Sequence, residues 1–219
     1  MSGWSYIDLY SGAGGVSCGF SLAGASPLLG VDSDATVLQR WAQNVAAPPE
    51  AVLCATIGTD PIPLPSARRR LHYHASSPCQ SFSHARTATS KVDREEGLRL
   101  FRLALETALR MGYCSWSLEQ VVHPSIKALV EAFETTYPAR VAHTIIDVSN
   151  HGLPSSRTRL IVGPPALITK LKQTPTTPRV SARQAFTQRG LVLPEGAVAE
   201  LTKPETLQAT APTSAPLKP

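Results

Sequence analysis

The sequence predicts an α/β protein built on a doubly wound, mostly parallel β-sheet. Segments with strand and helix patterns alternate throughout residues 5–163, and such alternation is typical of a parallel sheet covered by helices on both faces. A glycine-rich turn follows the first strand, and an acidic residue ends the second. A strand, a glycine turn and a helix together form the arrangement in which many α/β folds cradle a nucleotide.

The composition fits a soluble globular protein, with 42% hydrophobic and 17% charged residues in a chain of 219. No apolar run approaches membrane-spanning length and the N-terminus lacks a signal-peptide pattern, so we expect no membrane partner. The formal charge of +5 is compatible with a nucleic-acid partner. The cysteines stand far apart without a C-x-x-C pair, which argues against a metal site and for a reducing, intracellular compartment, cytoplasmic or nuclear; they are Cys18, Cys54, Cys79 and Cys114.

The first strand, Tyr6 to Tyr10, leads into Ser11-Gly12-Ala13-Gly14-Gly15 and then a helix over Val16 to Ala23. Glycines permit a tight turn and let a ligand approach the backbone. The spacing differs from the G-x-G-x-x-G dinucleotide fingerprint and leaves no evident place for a pyrophosphate. The turn therefore indicates either a bound cofactor, which we favour, or a purely structural turn.

The second strand, Pro27 to Val31, ends in Asp32. An acid at this position typically accepts hydrogen bonds from ribose hydroxyls. The alternative is a helix cap, a role also open to Ser33 and Asp34. We favour the ribose interpretation because the glycine turn lies upstream at a fitting distance.

Ala51 to Ala55 predicts a third strand, and Leu71 to Ala75 a fourth in which His72 and His74 alternate with apolar residues. Paired histidines are compatible with a metal, but no third ligand stands nearby in the sequence. We therefore expect a solvated or hydrogen-bonded strand face.

A loop with the sequence Ser76-Ser77-Pro78-Cys79-Gln80-Ser81-Phe82-Ser83 follows the fourth strand. Proline restricts the backbone there, and small residues leave room around the sulfur. The loop suits a nucleophilic thiolate, but on these residues alone a spare cysteine in a turn is an equal alternative.

Two later stretches carry candidate polar groups. A strand over Tyr113 to Leu118 follows a helix over Arg94 to Met111, and Glu119 lies at the carboxyl end of that strand, where α/β folds bind ligands. Further on, Arg157 and Arg159 are two residues apart on an extended segment, so both guanidiniums face the same way and suit a phosphate or a base edge. A solvated strand end and an exposed strand entrance are the respective alternatives.

The motifs, in this order, resemble the catalytic domain of DNA (cytosine-5)-methyltransferases over residues 5–165. The segment from Asp8 to Gly15 matches the first motif of that family, and Ser77 to Ser83 matches its Pro-Cys-Gln loop. Leu118-Glu119-Gln120-Val121 stands where the family has Glu-Asn-Val, and the segment from Gly152 to Arg159 matches the Gln-x-Arg-x-Arg region.

The resemblance implies a Rossmann-like S-adenosylmethionine-dependent fold, S-adenosyl-L-methionine as cofactor and double-stranded DNA as partner. The catalytic residues that it implies are Cys79, Glu119, Arg157 and Arg159. The cofactor-binding residues that it implies are Asp8, Tyr10, Ser11, Gly12, Ala13, Gly14, Gly15, Asp32, Ser33 and Pro78. In relatives the cysteine attacks C6 of a flipped cytosine, the glutamate hydrogen-bonds N3 and the exocyclic amine, and the methyl group is received at C5.

Several positions depart from the family pattern. Gln120 replaces the usual asparagine, Ser155 replaces the usual glutamine, and no aspartate stands in register near Ala55-Thr56-Ile57. We expect a catalytic domain over residues 1–165, a short extension over 166–202 and a disordered tail over 203–219, with no evident target-recognition domain. An active minimal methyltransferase is the favoured interpretation. The alternative is a weak or inactive accessory protein that needs a partner chain or a homo-oligomer for DNA recognition, and an RNA-methylating relative is a third.

Overall fold

The computed structural model of the chain describes residues 3–67, 69–82, 91–113 and 115–188. It contains seven strands and six α-helices in this described part. The strands are β1 (Ser5–Leu9), β2 (Ser26–Asp32), β3 (Val52–Cys54), β4 (Leu71–Ala75), β5 (Trp116–Gln120), β6 (Ala142–Asp147) and β7 (Thr158–Gly163). The helices are α1 (Gly15–Leu22), α2 (Ala35–Asn44), α3 (Lys91–Arg110), α4 (Pro124–Thr136), α5 (Pro165–Gln173) and α6 (Ala182–Gln188).

The strands form one sheet in the order β3-β2-β1-β4-β5-β7-β6. The pairs β1–β2, β1–β4, β2–β3 and β4–β5 are parallel, whereas β5 and β7 run antiparallel. The predicted fold class, a doubly wound and mostly parallel α/β sheet, is confirmed. The strict alternation of strands and helices ends at β6, because only a short 3-10 helix (Val148–His151) separates β6 from β7.

Successive residues of β1 point to opposite faces of the sheet, and each face has its own apolar cluster. Ile7 belongs to the larger cluster, which includes Phe101 of α3 and Leu118 of β5. Tyr6 belongs to the smaller one, with Leu38 and Trp41 of α2. The apolar strand sequences predict this burial of both sheet faces.

Some predicted boundaries differ from the structure. The fifth strand was expected over 113–118, but it runs from Trp116 to Gln120, so Glu119 lies inside it. Tyr113 precedes the strand and stacks on Tyr73 with ring centroids 5.3 Å apart. The third strand is shorter than expected, because Ala51 belongs to a 3-10 helix (Pro49–Ala51).

The chain divides into two compact units by its internal contacts. One comprises residues 1–146 and 159–173, the other residues 147–158 and 174–219. Helix α5 belongs to the first unit. The predicted catalytic domain over 1–165 and the predicted extension over 166–202 stay predictions, and the tail over 203–219 lies outside the described residues.

Within the second unit, Arg179 joins the two segments. Its Nη2 donates to Oδ2 of Asp147 at 3.1 Å, and its Nε donates to the side-chain oxygen of Asn150 at 3.2 Å. The backbone N–H of Thr177 donates to the carbonyl of Asn150 at 2.8 Å. These contacts tie residues 174–179 to the 3-10 helix that follows β6.

The described helices include none long and apolar enough to cross a membrane. Among the same described residues, no group of three or more histidine, cysteine or acidic side chains is placed to hold a metal ion.

Candidate active site

The glycine turn after β1 adopts a backbone that favours glycine. Gly12 and Gly14 have positive φ values of 52° and 93°, and Gly14 caps the N-terminus of α1. The backbone N–H of Gly14 donates to the carbonyl of Ser11 at 3.0 Å, which closes the turn. Tyr10 also has a positive φ, 58°, which is uncommon for a non-glycine residue and marks the turn as a special site.

Asp8 lies inside the protein and not on the surface of the turn. It is 1% exposed, and the Ser17 hydroxyl donates to its Oδ2 at 2.5 Å. The Trp41 indole in turn donates to the Ser17 oxygen at 2.9 Å. Burial raises the pKa of Asp8 to about 7, and the neighbouring Asp32 adds to the rise, while the hydrogen bonds from Ser17 and Trp41 oppose it. In this structure Asp8 fastens β1 to α1.

Asp32, at the end of β2, bridges two backbone segments. Its Oδ2 accepts from the Gly12 N–H at 2.9 Å, and its Oδ1 accepts from the Asp34 N–H at 3.1 Å. The cap of α2 is Asp34, whose Oδ1 accepts from the amides of Thr36 and Val37. The cap alternative for Asp32 therefore fails, while its ribose role stays a prediction.

Two side-chain oxygens in the turn have no hydrogen-bond partner among the described residues, although both are buried: the hydroxyls of Tyr10 and Ser11. Buried polar atoms are nearly always paired, so each such atom needs an explanation. A Cβ built on Gly12 or Gly15 would meet no heavy atom within 4 Å. The open space at Gly12 and Gly15 leaves room for a ligand at the backbone of the turn.

We call residues 76–82 the Cys79 loop. Its first residue is fixed by the backbone, since the Ser76 N–H donates to the carbonyl of Leu9 at 3.2 Å. The amide of the fully buried Gln120 donates to the Ser77 carbonyl at 3.1 Å and approaches its hydroxyl at 3.2 Å. Cys79 itself is half-buried, and Pro78 before it is exposed.

The end of the Cys79 loop packs tightly against α3. The Phe82 N–H donates to the Cys79 carbonyl at 3.0 Å, and the Phe82 ring is 4% exposed. A Cβ built on Gly97 would lie 2.6 Å from that ring and 2.5 Å from the Ser81 hydroxyl. Glycine at position 97 is what allows the loop to approach the helix.

Glu119 and Arg159 meet across the antiparallel pair β5–β7. Glu119 is opposite Ile161 in the register, so Arg159 lies two residues away on the same face, at the diagonal distance that long side chains can span. The Arg159 Nε lies 2.5 Å from Glu119 Oε1, and both side chains are about a fifth exposed, 18% and 21%. This contact is a charge-assisted hydrogen bond in a partly desolvated setting.

The structure brings most of the predicted residues to one edge of the sheet. The carboxyl ends of the parallel strands β1, β2, β4 and β5 share that edge, so the glycine turn, Asp32, the Cys79 loop and Glu119 lie along it. Ser33 and Ala13 are exposed there. Arg157 belongs to the second unit, where its carbonyl accepts from the Val148 N–H at 3.0 Å, and its role stays a prediction.

The residues that support the site are not evident from the sequence. Ser17 and Trp41 hold Asp8, and Gly97 admits Phe82, but each needs a partner that is distant in the chain. The glycine in the middle of α3 was the one available signal, because an interior helix glycine that costs stability often has a packing reason.

Residues 4–105 match the family model of the C-5 cytosine-specific DNA methylases. The predicted resemblance is confirmed. The match covers the glycine turn, Asp32 and the Cys79 loop, whereas Glu119, Arg157 and Arg159 lie beyond it. A search of curated proteins finds no significant match to the chain.

Two solved structures are similar to this chain, and the first of them shares its fold. One is a DNA modification methyltransferase encoded within a prophage of E. coli, with 19% identity and a TM-score of 0.57 over 88% of this chain and 56% of that one. Another is the Dnmt2 methyltransferase of S. pombe, with 16% identity and a TM-score of 0.49 over the same shares, 88% and 56%. This chain thus spans a little over half the length of each of these two structures.

Proposed function

We propose that the chain is a DNA cytosine-5 methyltransferase that uses S-adenosylmethionine and a covalent intermediate on Cys79. The observation that carries the proposal is the arrangement at the sheet edge: a half-buried cysteine on an anchored loop after β4, beside a strand whose Glu119 is hydrogen-bonded by Arg159. The match of residues 4–105 to the cytosine-5 methylase family supports the same chemistry. An intracellular location, where DNA is the substrate, is part of the proposal.

The turn residues fit the cofactor. The unpaired, buried hydroxyls of Tyr10 and Ser11 and the open space at Gly12 and Gly15 are suited to a polar ligand with an adenosine group. Asp32 would accept from ribose hydroxyls through lone pairs that the backbone contacts leave available. When bound, S-adenosylmethionine supplies the methyl group as an electrophile.

Cys79 would act as the nucleophile on C6 of the cytosine, because C5 is too weak a nucleophile until the ring has been activated. The S–C6 bond forms as the C5–C6 double bond breaks, and the electron pair becomes available at C5. Glu119, fixed by Arg159, would hydrogen-bond N3 and the exocyclic amine of the activated ring. Once C5 has received the methyl group with this electron pair, loss of the C5 proton and cleavage of the S–C6 bond would restore the double bond and free Cys79.

The base must first leave the duplex, which costs a few kcal/mol, on the order of one stacking and pairing interaction. The chain spans 56% of the length of the matched prophage enzyme. The family match ends at residue 105, before Glu119 and Arg159, and this favours a second candidate function, an accessory protein that binds cofactor or DNA and needs a partner chain or a second copy for recognition.

A tritiated S-adenosylmethionine transfer assay on unmethylated duplex DNA tests the proposal. The wild-type chain should transfer label, and Cys79→Ser should abolish transfer. Cys54→Ser is the matched control, since Cys54 is exposed and lies at the end of β3, and it should keep wild-type activity. Absence of transfer by the wild type at every salt concentration would refute the stand-alone enzyme.

Calorimetric titration separates the remaining outcomes. Heat of S-adenosylmethionine binding without transfer would favour the accessory function. Activity that appears only when a second chain is added would do the same, whereas no binding to either cofactor or DNA would contradict both candidates.

A further inference from the structure

A chain of hydrogen-bonded polar side chains crosses the sheet from β5 to the Cys79 loop. His72 Nδ1 lies 2.8 Å from the Ser115 hydroxyl, and His72 Nε2 lies 2.9 Å from that of Ser117. His74 Nδ1 lies 2.8 Å from the same Ser117 hydroxyl, and His74 Nε2 lies 2.7 Å from the Ser76 hydroxyl. We call these five residues the imidazole chain.

The strand register creates the imidazole chain. In the parallel pair β4–β5, Tyr73 is opposite Trp116 and His74 is opposite Ser117. Since side chains alternate along a strand, the two histidines share one face with Ser117 of β5 and with Ser115, the residue just before that strand. Phe20 of α1 covers this face, with its ring centroid 5.0 Å from that of His72 and 5.8 Å from that of His74.

The imidazole chain is buried at His74 and Ser117 and half-buried at His72. His74 is 4% exposed and Ser117 9% exposed, whereas both terminal serines are half-buried. Burial lowers the pKa of His72 to about 4 and that of His74 to about 3, so both rings are neutral near pH 7. A sheet face under a phenylalanine needs no polar residue for packing, and the opposite face of β4 is filled by Leu71, Tyr73 and Ala75.

The donor and acceptor roles of the two rings are coupled through the Ser117 hydroxyl. A neutral imidazole donates through one nitrogen and accepts through the other. Ser117 has a single hydroxyl proton, so it cannot donate to both His72 and His74, and at least one ring must donate to it. The tautomer of His74, and hence whether Ser76 donates or accepts, is therefore restricted by its neighbours in the chain.

The imidazole chain ends where the Cys79 loop begins. Ser76 stands three residues before Cys79 and receives the His74 contact, while Ser77 receives the contact from Gln120 of β5. Two consecutive loop residues are thus held by buried side chains of two neighbouring strands. We propose that His74 is a positioning residue for Cys79: its ring acts through the contact with Ser76, and Ser117 holds the ring from its other nitrogen.

This inference rests on the proposed function, because the purpose of the fixed loop is to place Cys79 for methyl transfer. The positioning itself is independent of methyl transfer, because it concerns the order of residues 76–82. A structural role in the fold alone would stabilise β4 and β5 without any particular effect on that loop.

Two substitutions at one site separate these roles. A glutamine amide reaches the place of imidazole Nε2, so His74→Gln keeps the contact with Ser76 and loses that with Ser117. An asparagine amide reaches the place of Nδ1, so His74→Asn keeps Ser117 and loses Ser76. Both remove one buried ring and one hydrogen bond, and they should lower global stability similarly. His72→Gln, which keeps the contact with Ser117, is the control for loss of stability away from the loop.

Backbone hydrogen exchange, followed by mass spectrometry of peptides that cover residues 76–82, is the primary measurement. His74→Asn should speed exchange in these peptides by about 10-fold, whereas His74→Gln and His72→Gln should stay within about 2-fold of wild type. Equal exchange in the two His74 variants, or a change spread evenly over β4 and β5, would overturn the positioning role.

Steady-state transfer kinetics is the second measurement. His74→Asn should lower kcat by about 10-fold or more with little change in the KM for S-adenosylmethionine, and His74→Gln should restore most of the loss. If the exchange result holds while even wild type transfers no methyl group, the loop positioning stands and the methyltransferase proposal fails. If His74→Asn speeds loop exchange and leaves kcat of an active wild type unchanged, the positioning of Cys79 for chemistry is refuted.

Discussion

Arg159 on β7 donates its Nε–H to Oε1 of Glu119 on β5, and the two atoms are 2.5 Å apart. In the antiparallel pair β5–β7, Arg159 near the start of β7 lies diagonally across from Glu119 near the end of β5. The carboxylate is thereby oriented by a planar, permanently charged donor, a task that lysine performs less well.

Arg159→Lys should therefore lower methyl transfer by about 10- to 100-fold, since a charge-assisted hydrogen bond contributes about 1.5–3 kcal/mol. The measurement is kcat/KM in the tritium transfer assay. Arg102→Lys is the matched control, because Arg102 pairs with Glu106 at 3.8 Å on an exposed helix face and should change little. Equal effects of the two substitutions would contradict the orienting role.

Gly97→Ala should destabilise the protein by about 1–3 kcal/mol, because the added methyl group would overlap the Phe82 ring and the Ser81 hydroxyl. Gly19→Ala is the control in a second helix, where a Cβ would meet no atom within 4 Å. That substitution should be neutral or stabilise by about 1 kcal/mol through helix propensity. Urea unfolding of the two variants measures the difference, and a stabilised Gly97→Ala would show that the packing of the loop on α3 is wrong.

Ser11→Ala should leave the free energy of unfolding unchanged or raise it by about 1 kcal/mol, because the buried Ser11 hydroxyl has no partner among the described residues. The same change should weaken S-adenosylmethionine binding by about 3- to 10-fold if the hydroxyl serves the cofactor.

Ser17→Ala supplies the contrast. The Ser17 hydroxyl donates to Asp8 and accepts from Trp41, so its loss should cost about 1–3 kcal/mol of stability. Thermal unfolding without and with the cofactor measures both effects. A destabilised Ser11→Ala with unchanged cofactor affinity would sink the ligand interpretation of the glycine turn.

Stability should fall as the pH drops from about 6.5 to about 4. In the unfolded chain the histidines titrate near 6.5, but burial lowers the pKa of His72 to about 4 and that of His74 to about 3, so the unfolded state binds more protons in this window. Asp8 acts in the opposite direction, since its pKa is raised from 3.8 to about 7 and its protonated form stabilises the folded state below that pH. The loss of stability from the two histidines on acidification exceeds the gain from Asp8.

Urea unfolding across pH 4 to 7 checks this balance. Asp8→Asn should steepen the loss of stability on acidification, and His72→Gln should flatten it. A net loss on the order of a few kcal/mol is expected, at about 1.4 kcal/mol for each unit of pKa difference. Stability that is constant over the window would contradict the burial of neutral imidazoles.

The sequence predicts the strands and helices because the spacing of its apolar residues changes clearly, from about two residues in the strands to about three and a half in the helices. Leu71 to Ala75 alternates strictly and forms β4 with those bounds. The direction of β7 could not be predicted, since a strand pattern carries no information on which neighbour the strand joins. For the same reason the partners of His72 and His74 could not be predicted, because Ser115 and Ser117 face them only in the observed register.

The candidate site divides in the same way. Residues with distinctive local patterns, such as the glycine turn and the Cys79 loop, were predicted from the sequence. The position of Glu119 inside β5 was not, because the end of that strand depends on Gln120, a polar residue that is fully buried through its contact with Ser77. Polar residues that are buried by distant partners look like loop residues in a sequence.

Strand β5 has a consequence for how this protein tolerates change. Three of its positions, on the two faces of the sheet, have different contacts: Ser117 contacts the histidines, Glu119 contacts Arg159, and Gln120 donates to Ser77. Because the pleat has a period of two, deletion of one residue ahead of Ser117 would exchange all these assignments at once. Side chains on β5 can therefore be replaced singly, whereas a one-residue insertion or deletion in the strand would disrupt all three contacts together.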